Sequence, residues 1–244
     1  MDLGLRGRVA LVTAASRGLG FAAAAALVEE GASVLVCGRR PDLLDGAVEQ
    51  LRSRAADGAQ VAGVAADVTD PPSPARLVDA TIERFGGLDV LVANAGGPPP
   101  GQALEVDDAA IEAALGANLV TSVRLARTAV PHLRSRGGGR ICFITSYSVK
   151  QPIPTLALSN TARVGLWGWA KTAAADLAGE SITLNLACPG PHATERMAEL
   201  GGGSGIRMGD PADFGKVVAF LCSGPAGFVN GAAVVVDGGA TLAL

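Results

Sequence analysis

Residues 12–28 read VTAASRGLGFAAAAALV, and the fold turns on how that stretch divides. The run "RVALVTA" that leads into it has the β-branched, apolar character of a buried strand. "FAAAAALV" has the character of a helix buried on every side. Between them, "TAASRGLG" (Thr13–Gly20) makes a tight turn that opens the helix. Backbone N–H groups and the positive end of the helix dipole then point at one place, an arrangement that holds a pyrophosphate. Ala14 stands where the first glycine of such a turn is expected. Alanine tolerates positive φ poorly, so the turn is expected to be slightly reshaped without losing its use.

The same alternation runs through the chain. "ASVLVCG", "QVAGVAAD", "LDVLVANAG", "RICFITS", "ITLNLACPG" and "AAVVVDGG" read as six further strands. Helical patterns fall between them, at about 18–30, 41–57, 74–86, 106–135, 158–178 and 211–223. Strict β–α alternation predicts a single doubly wound α/β domain of Rossmann type over residues 1–244, with a seven-stranded parallel sheet flanked by helices. Two breaker-rich pieces, "GGPPPG" (96–101) and "GGGSG" (201–205), follow strand ends where such sheets bind ligands.

Composition narrows the function. Apolar residues make up 49% of the chain and aromatics only 4%, so the core must be built from Ala, Val, Leu and Ile. Net charge is −3 with no block of one sign, which argues against nucleic acid or an anionic membrane as partner. "FAAAAALV" is too short to span a bilayer and "MDLGLRGR" is not a signal peptide, so a soluble, cytoplasmic protein is expected. Cys37, Cys142, Cys188 and Cys222 are widely spaced and read as reduced, buried thiols. His132 and His192 are isolated, so no metal site is expected.

The second strand ends in "VCGRR", with Arg39 and Arg40 where NAD sites carry an acidic residue for the ribose 2′-hydroxyl. Arg17 lies in the glycine turn itself. Guanidinium groups converging there suit a 2′-phosphate, so NADP(H) is the expected cofactor.

At this point the chain resembles the short-chain dehydrogenase/reductase (SDR) family, and within it the acyl-carrier-protein ketoreductases. The resemblance covers nearly the whole length. It rests on "TAASRGLG", "ADVTD" (66–70), "NAG" (94–96), Asn118 in "GANLV", Ser146 in "ITSYS", "PGPHAT" (189–194) and the terminal "VDGG". It implies that Thr13, Ala15, Ser16, Arg17, Gly18, Leu19, Gly20 and Arg39 contact the cofactor. Asp67 and Val68 would lie against the adenine, and Asn94, Ala95 and Gly96 would support the cofactor. Pro189, Gly190, His192 and Thr194 would embrace the nicotinamide carboxamide.

In the family a Ser polarises the substrate carbonyl and a Tyr is the general acid/base. A Lys four residues on holds the nicotinamide ribose and lowers the Tyr pKa, and an Asn anchors a water relay. Asn118 and Ser146 match. The Tyr position, thirteen residues after Ser146, is Ser159, and the Lys position is Arg163. Tyr147 and Lys150 do not restore the pair, being three apart in a proline-containing loop.

Arg163 can still donate to ribose hydroxyls, but Ser159 is a short, weak acid. Another donor is therefore expected, and Tyr147, which follows Ser146, and His192, in the nicotinamide-embracing loop, are the candidates. Lys150 and a water relay through Asn118 remain open. The resemblance implies a carbonyl/alcohol oxidoreductase with a non-standard proton route. The alternatives are a non-redox enzyme (cyclase, dehydratase or isomerase) on the same scaffold, or a catalytically silent partner subunit. It also implies a homodimer or homotetramer through the helices at 106–135 and 158–178. The short, glycine-rich piece after Thr194 predicts an open, mobile pocket for a bulky or carrier-bound small molecule.

Overall fold

The computed structural model describes residues 1–201 and 207–243. Seven parallel strands form one sheet in the order β3-β2-β1-β4-β5-β6-β7. These are β1 (Val9–Val12), β2 (Ser33–Gly38), β3 (Val61–Ala65), β4 (Val90–Ala93), β5 (Gly139–Ile144), β6 (Ile182–Pro189) and β7 (Ala233–Val236). Chain order reverses between β1 and β4, and at that switch point neighbouring strand ends open a crevice.

Helices cover both faces. On one, α1 (Gly18–Glu29) and α2 (Pro41–Arg52) bury Leu27 and Leu51 against β1, β2 and β3, and α8 (Pro211–Leu221) buries Phe214 beside α1 over β5 and β6. On the other, α3 (Ser73–Phe85), α5 (Thr121–Ser135) and α6 (Ala157–Leu177) bury Leu77, Leu125 and Leu166 against Leu91 and Phe143. A short α7 (Glu195–Glu199) follows β6.

Two expected helices differ. The second ends at Arg52, because Arg54 and Ala55 close a turn on Leu51 and Arg52. The single helix expected over 106–135 is α4 (Asp108–Leu115), a π-helical turn (Gly116–Val120) and α5. The π turn widens the helix at Asn118, and such bulges are frequent at functional sites. By length and apolar composition Asp108–Ser135 could also cross a membrane. The core helix of a soluble protein meets the same description, and here Leu125, Ala126, Ala129 and Leu133 are buried against the sheet.

The alanines of α1 have a packing cause. A Cβ on Gly215 of α8 would overlap the carbonyl oxygen of Ala22, so the two helix backbones touch with only small side chains between them. Gly215→Ala is therefore expected to destabilise the domain by about 1–3 kcal/mol. Gly46→Ala, on α2 with open space around it, should instead stabilise by about 0.5–1 kcal/mol. Urea denaturation of the two variants checks the opposite signs.

Candidate active site

The glycine turn is fastened across the switch point. Thr13 Oγ1 donates to the Asn94 carbonyl at 2.7 Å and accepts from the Asn94 N–H at 2.9 Å. Asn94 Nδ2 donates to the Ala14 carbonyl at 3.1 Å. Ala14 itself stands at φ +46°, a glycine-like conformation that its side chain disfavours, so the turn keeps its shape at the cost of strain and is not reshaped as expected. Gly18 has φ +62°, and a Cβ on Gly20 would stand 2.6 Å from the Ala14 oxygen and 2.7 Å from Asn94 Nδ2. Thr13 and Ala15 are fully buried, with their polar groups on β4 and β2. They shape the turn from beneath instead of lining its mouth. Ser16, Arg17, Gly18 and Leu19 are exposed or partly so. The first turn of α1 has no side-chain cap and no acidic residue, so its amides stay free for an anion.

On the β2–β3 side, Asp67 accepts from the backbone N–H of Thr69 at 3.0 Å and from its hydroxyl at 2.8 Å. The Thr69 amide, more than its hydroxyl or the positive charge of Arg39, holds the Asp67 carboxyl below the usual range. Val68 is buried beneath it, and Arg39 and Arg40 are exposed. Arg17 does not converge on Arg39. Its guanidinium forms an ion pair with Glu195 and lies 3.9 Å from Glu199, both on α7.

The other side of the crevice gathers the residues marked for chemistry. Asn118 is buried in the π turn, and its Nδ2 has no hydrogen-bond partner among the described residues. Ser146 Oγ, at the end of β5, accepts from the Ser148 N–H at 3.1 Å. On the first turns of α6, Arg163 Nε donates to Ser159 Oγ at 3.0 Å and Nη1 donates to the Ile144 carbonyl at 3.3 Å. The Ser159 hydroxyl, itself buried, thus accepts from a cation and keeps its proton free to donate. Arg163 as a whole is only partly buried, yet desolvation of its guanidinium lowers its pKa to about 10. It stays charged at neutral pH.

The two expected proton donors fare differently. Tyr147 is partly buried in a turn of 3₁₀ helix (Tyr147–Val149), and burial, followed by the charge of Asp237, raises its pKa. It is a weaker acid than a free phenol. His192 is corrected as a donor: its ring is buried, with Nδ1 3.0 Å from the Gly190 carbonyl. It stands edge-on to Phe214 with 5.3 Å between ring centroids. The backbone bonds Gly209 N–H to Pro191 O and Ala193 N–H to Gly209 O hold that turn in place. Pro189, Pro191 and His192 are thus withdrawn from the surface, whereas Ala193 is exposed and Thr194 partly so. Lys150 Nζ sits 4.2 Å from the centroid of the Trp167 ring and is engaged outside the catalytic group. His132 lies in the last turn of α5, as a surface residue should.

Of the short piece after Thr194, the described part is the helix α7. Thr194 caps α7 by accepting from Met197 N–H at 3.3 Å, and α7 bridges both lips of the crevice. On one side lies the Arg17–Glu195 pair; on the other, Arg196 Nη2 donates to the Pro98 carbonyl at 2.7 Å. Of "GGGSG", residues 202–205 lie outside the described residues.

Residues 13–241 match the family described as Enoyl-(Acyl carrier protein) reductase. The human "Dehydrogenase/reductase SDR family member 4" is 33% identical over 247 residues, covering 96% of this chain and 88% of that one. The chain belongs to the short-chain dehydrogenase/reductase family. Among solved SDR structures, L-sorbose reductase from Gluconobacter frateurii, complexed with NADPH and L-sorbose, superposes with a TM-score of 0.92. It is 31% identical, with 100% of both chains covered. A 7α-hydroxysteroid dehydrogenase complexed with NADH and 7-oxo glycochenodeoxycholic acid gives 0.91 at 27% identity, covering 98% of this chain and 96% of that one. An oxidoreductase on a Rossmann-type sheet is therefore the coarse identity of this SDR protein.

Two site features and one anchor of the fold escaped the sequence reading. Arg196, Glu195 and Glu199 read there only as part of a short lid, although a charged "ERMAE" following Thr194 was the available signal. Cys37 Sγ lies 3.4 Å from the Ala14 N–H, beneath the turn, where burial raises the thiol to about 11. Asp89 anchors the opposite end of the sheet, accepting from Val9 N–H at 2.9 Å and pairing with Arg8 and Arg136.

The strained alanine yields a stability test. Ala14→Gly should stabilise the SDR domain by about 1 kcal/mol, since relief of a left-handed non-glycine conformation exceeds the entropy cost of glycine. Asn94→Ala should destabilise it by about 1–3 kcal/mol, because it strips the Ala14 carbonyl of its partner. Chemical denaturation reads both.

Proposed function

We propose that the chain is an NADP(H)-dependent oxidoreductase of carbonyl and alcohol substrates, in which Ser159 and Arg163 hold the places of the family's Tyr and Lys. The observation that carries this reading is the Arg163 Nε–Ser159 Oγ hydrogen bond at 3.0 Å, anchored to the end of β5 through Ile144.

The residues fit a nicotinamide dinucleotide. The uncapped start of α1 and the close approach at Gly20 suit its pyrophosphate, and the unpartnered Asn118 Nδ2 suits an ordered water beside it. Arg39, free of any ion pair among the described residues, and Arg17, once released from α7, suit a 2′-phosphate. The L-sorbose reductase complex with NADPH supports the same choice. The cofactor supplies the hydride. Ser146 orients and polarises the carbonyl oxygen. The Ser159 hydroxyl, polarised by Arg163, orients a water that delivers the proton, refilled through Asn118. Losing a phenol acid ordinarily costs about 10²–10⁴-fold in rate, so slow turnover is the expectation.

The partner is a small-molecule substrate, with neither nucleic acid nor membrane. We further place the protein in the cytoplasm, where its four buried free cysteines would stay reduced. We also propose a homodimer or homotetramer, consistent with Val164 on α6 remaining 45% exposed.

Two measurements test the proposal. In the first, wild type should oxidise NADPH slowly with a ketone panel, and Ser159→Tyr with Arg163→Lys should accelerate it about 10²–10⁴-fold. No hydride transfer by wild type to any ketone would overturn the reading, and product formed without cofactor would point to non-redox chemistry. In the second, fluorescence titration should show Arg17→Ala and Arg39→Ala each weakening NADPH binding about 10–100-fold while NADH binding changes little. Equal effects on both nucleotides would reject the 2′-phosphate assignment.

A further inference from the structure

The strap α7 already holds one of the two arginines proposed for the 2′-phosphate. Arg17 Nη1 pairs with the Glu195 carboxylate, and Arg17 Nη2 lies 3.9 Å from Glu199. Glu199 divides its charge, since it also lies 3.4 Å from Arg196. Glu195 has no other ion pair among the described residues. Arg39, the second arginine, is exposed and makes no ion pair among the described residues. One guanidinium group is therefore open to a phosphate, and the other is occupied by a carboxylate of the same chain.

A carboxylate and a phosphate present a guanidinium fork with the same paired oxygens, so the two compete for one place. Glu195 is placed to yield. Its side chain is 66% exposed and that of Arg17 51%, so their pairing is screened by water and salt. Glu195 also borders a cleft of about 360 Å³ whose walls include Arg54 and Lys216. A carboxylate displaced from Arg17 thus has water and two cations beside it, and its release buries no charge.

We propose that Glu195 is an internal competitor of the 2′-phosphate, occupying Arg17 until a 2′-phosphorylated nucleotide takes its place. Glu195 is then a residue that sets cofactor specificity: it weakens the binding of NADPH and leaves that of NADH alone, because a nucleotide without the 2′-phosphate does not need Arg17. The inference rests on reading Arg17 as part of a 2′-phosphate site. Linkage runs in the other direction as well, since a bound 2′-phosphate detaches α7 from the glycine turn and leaves it held by Arg196 on Pro98.

Adenosine 2′,5′-bisphosphate and adenosine 5′-monophosphate differ only in the 2′-phosphate, and both bind without nicotinamide or turnover. Their dissociation constants can be measured by isothermal titration. Glu195→Gln keeps the size of the side chain and removes its charge. It should bind the bisphosphate about three- to fivefold more tightly than wild type, with binding of the monophosphate unchanged. The gain should vanish when Glu195→Gln is made in Arg17→Ala and persist when it is made in Arg39→Ala. Unchanged or weaker bisphosphate binding by Glu195→Gln overturns the proposal. So does an equal gain for the monophosphate, which would make the strap a general obstruction. A gain that survives in Arg17→Ala, or is lost in Arg39→Ala, overturns it too, the former by assigning the effect to diffuse repulsion. Arg17→Ala that leaves bisphosphate binding unchanged would reject the 2′-phosphate site itself. Arg17→Ala that weakens it, beside a silent Glu195→Gln, would reject the competitor alone.

Discussion

The hydrogen bonds between Thr13 and Asn94 tie the ends of β1 and β4 together at the point where strand order reverses. Everything that faces the crevice hangs from that tie. Asn94 uses its main chain to hold Thr13 and its amide to hold Ala14, so one residue fixes both the strand separation and the conformation of the glycine turn. Because Gly20 has no Cβ, α1 starts directly on this turn and presents its free amides into the crevice. A β-carbon there would push the helix away from both the Ala14 oxygen and the Asn94 amide, and the anion site would lose its floor.

The strap α7 depends on the same turn. Arg17 leaves the turn immediately before α1 and reaches the carboxylates of the strap, while Arg196 reaches the loop that follows Asn94. The two lips thus joined are the two strand ends already tied by Thr13 and Asn94. Exposed ion pairs of this kind are individually worth about 1 kcal/mol or less. The strap is consequently held firmly enough to have a preferred position and weakly enough to yield to a bound anion. A 2′-phosphate competing for Arg17 would loosen one end of it.

How much of this was legible in the chain follows from the range of each interaction. The seven strands, their parallel pairing and the glycine turn came through because β-branched runs, an alanine-rich helix and closely spaced glycines impose local geometry; the strand order was not legible. The misfit of Ala14 was visible for the same reason, but the turn answers it with a strained positive φ and not with the expected reshaping. Asn118 was found by its motif, but the π turn that widens the helix around it has no residue signature in "GANLV". His192 was misjudged because its position in the loop was legible and its direction was not. Whether an imidazole faces the crevice or Phe214 is decided by α8, which follows it in the chain. Arg196 was passed over because its partner, Pro98, is 98 residues away.

The pairing of Ser159 with Arg163 changes what the crevice can bind as well as what it can protonate. A Lys at such a site is a compact charge on a flexible stem, whereas Arg spreads its charge over a rigid fork. One arm of that fork is committed to Ser159 and another to Ile144, which fixes the plane of the guanidinium and leaves Nη2 directed toward Gly97. The serine hydroxyl is too short to occupy the volume of a phenol, so the substrate or a water must fill it. The exchange keeps a cation in that place, now fixed in plane, and removes an acid, so it bears on proton delivery more than on charge. Slow proton delivery beside a fixed cation is the combination these two residues favour.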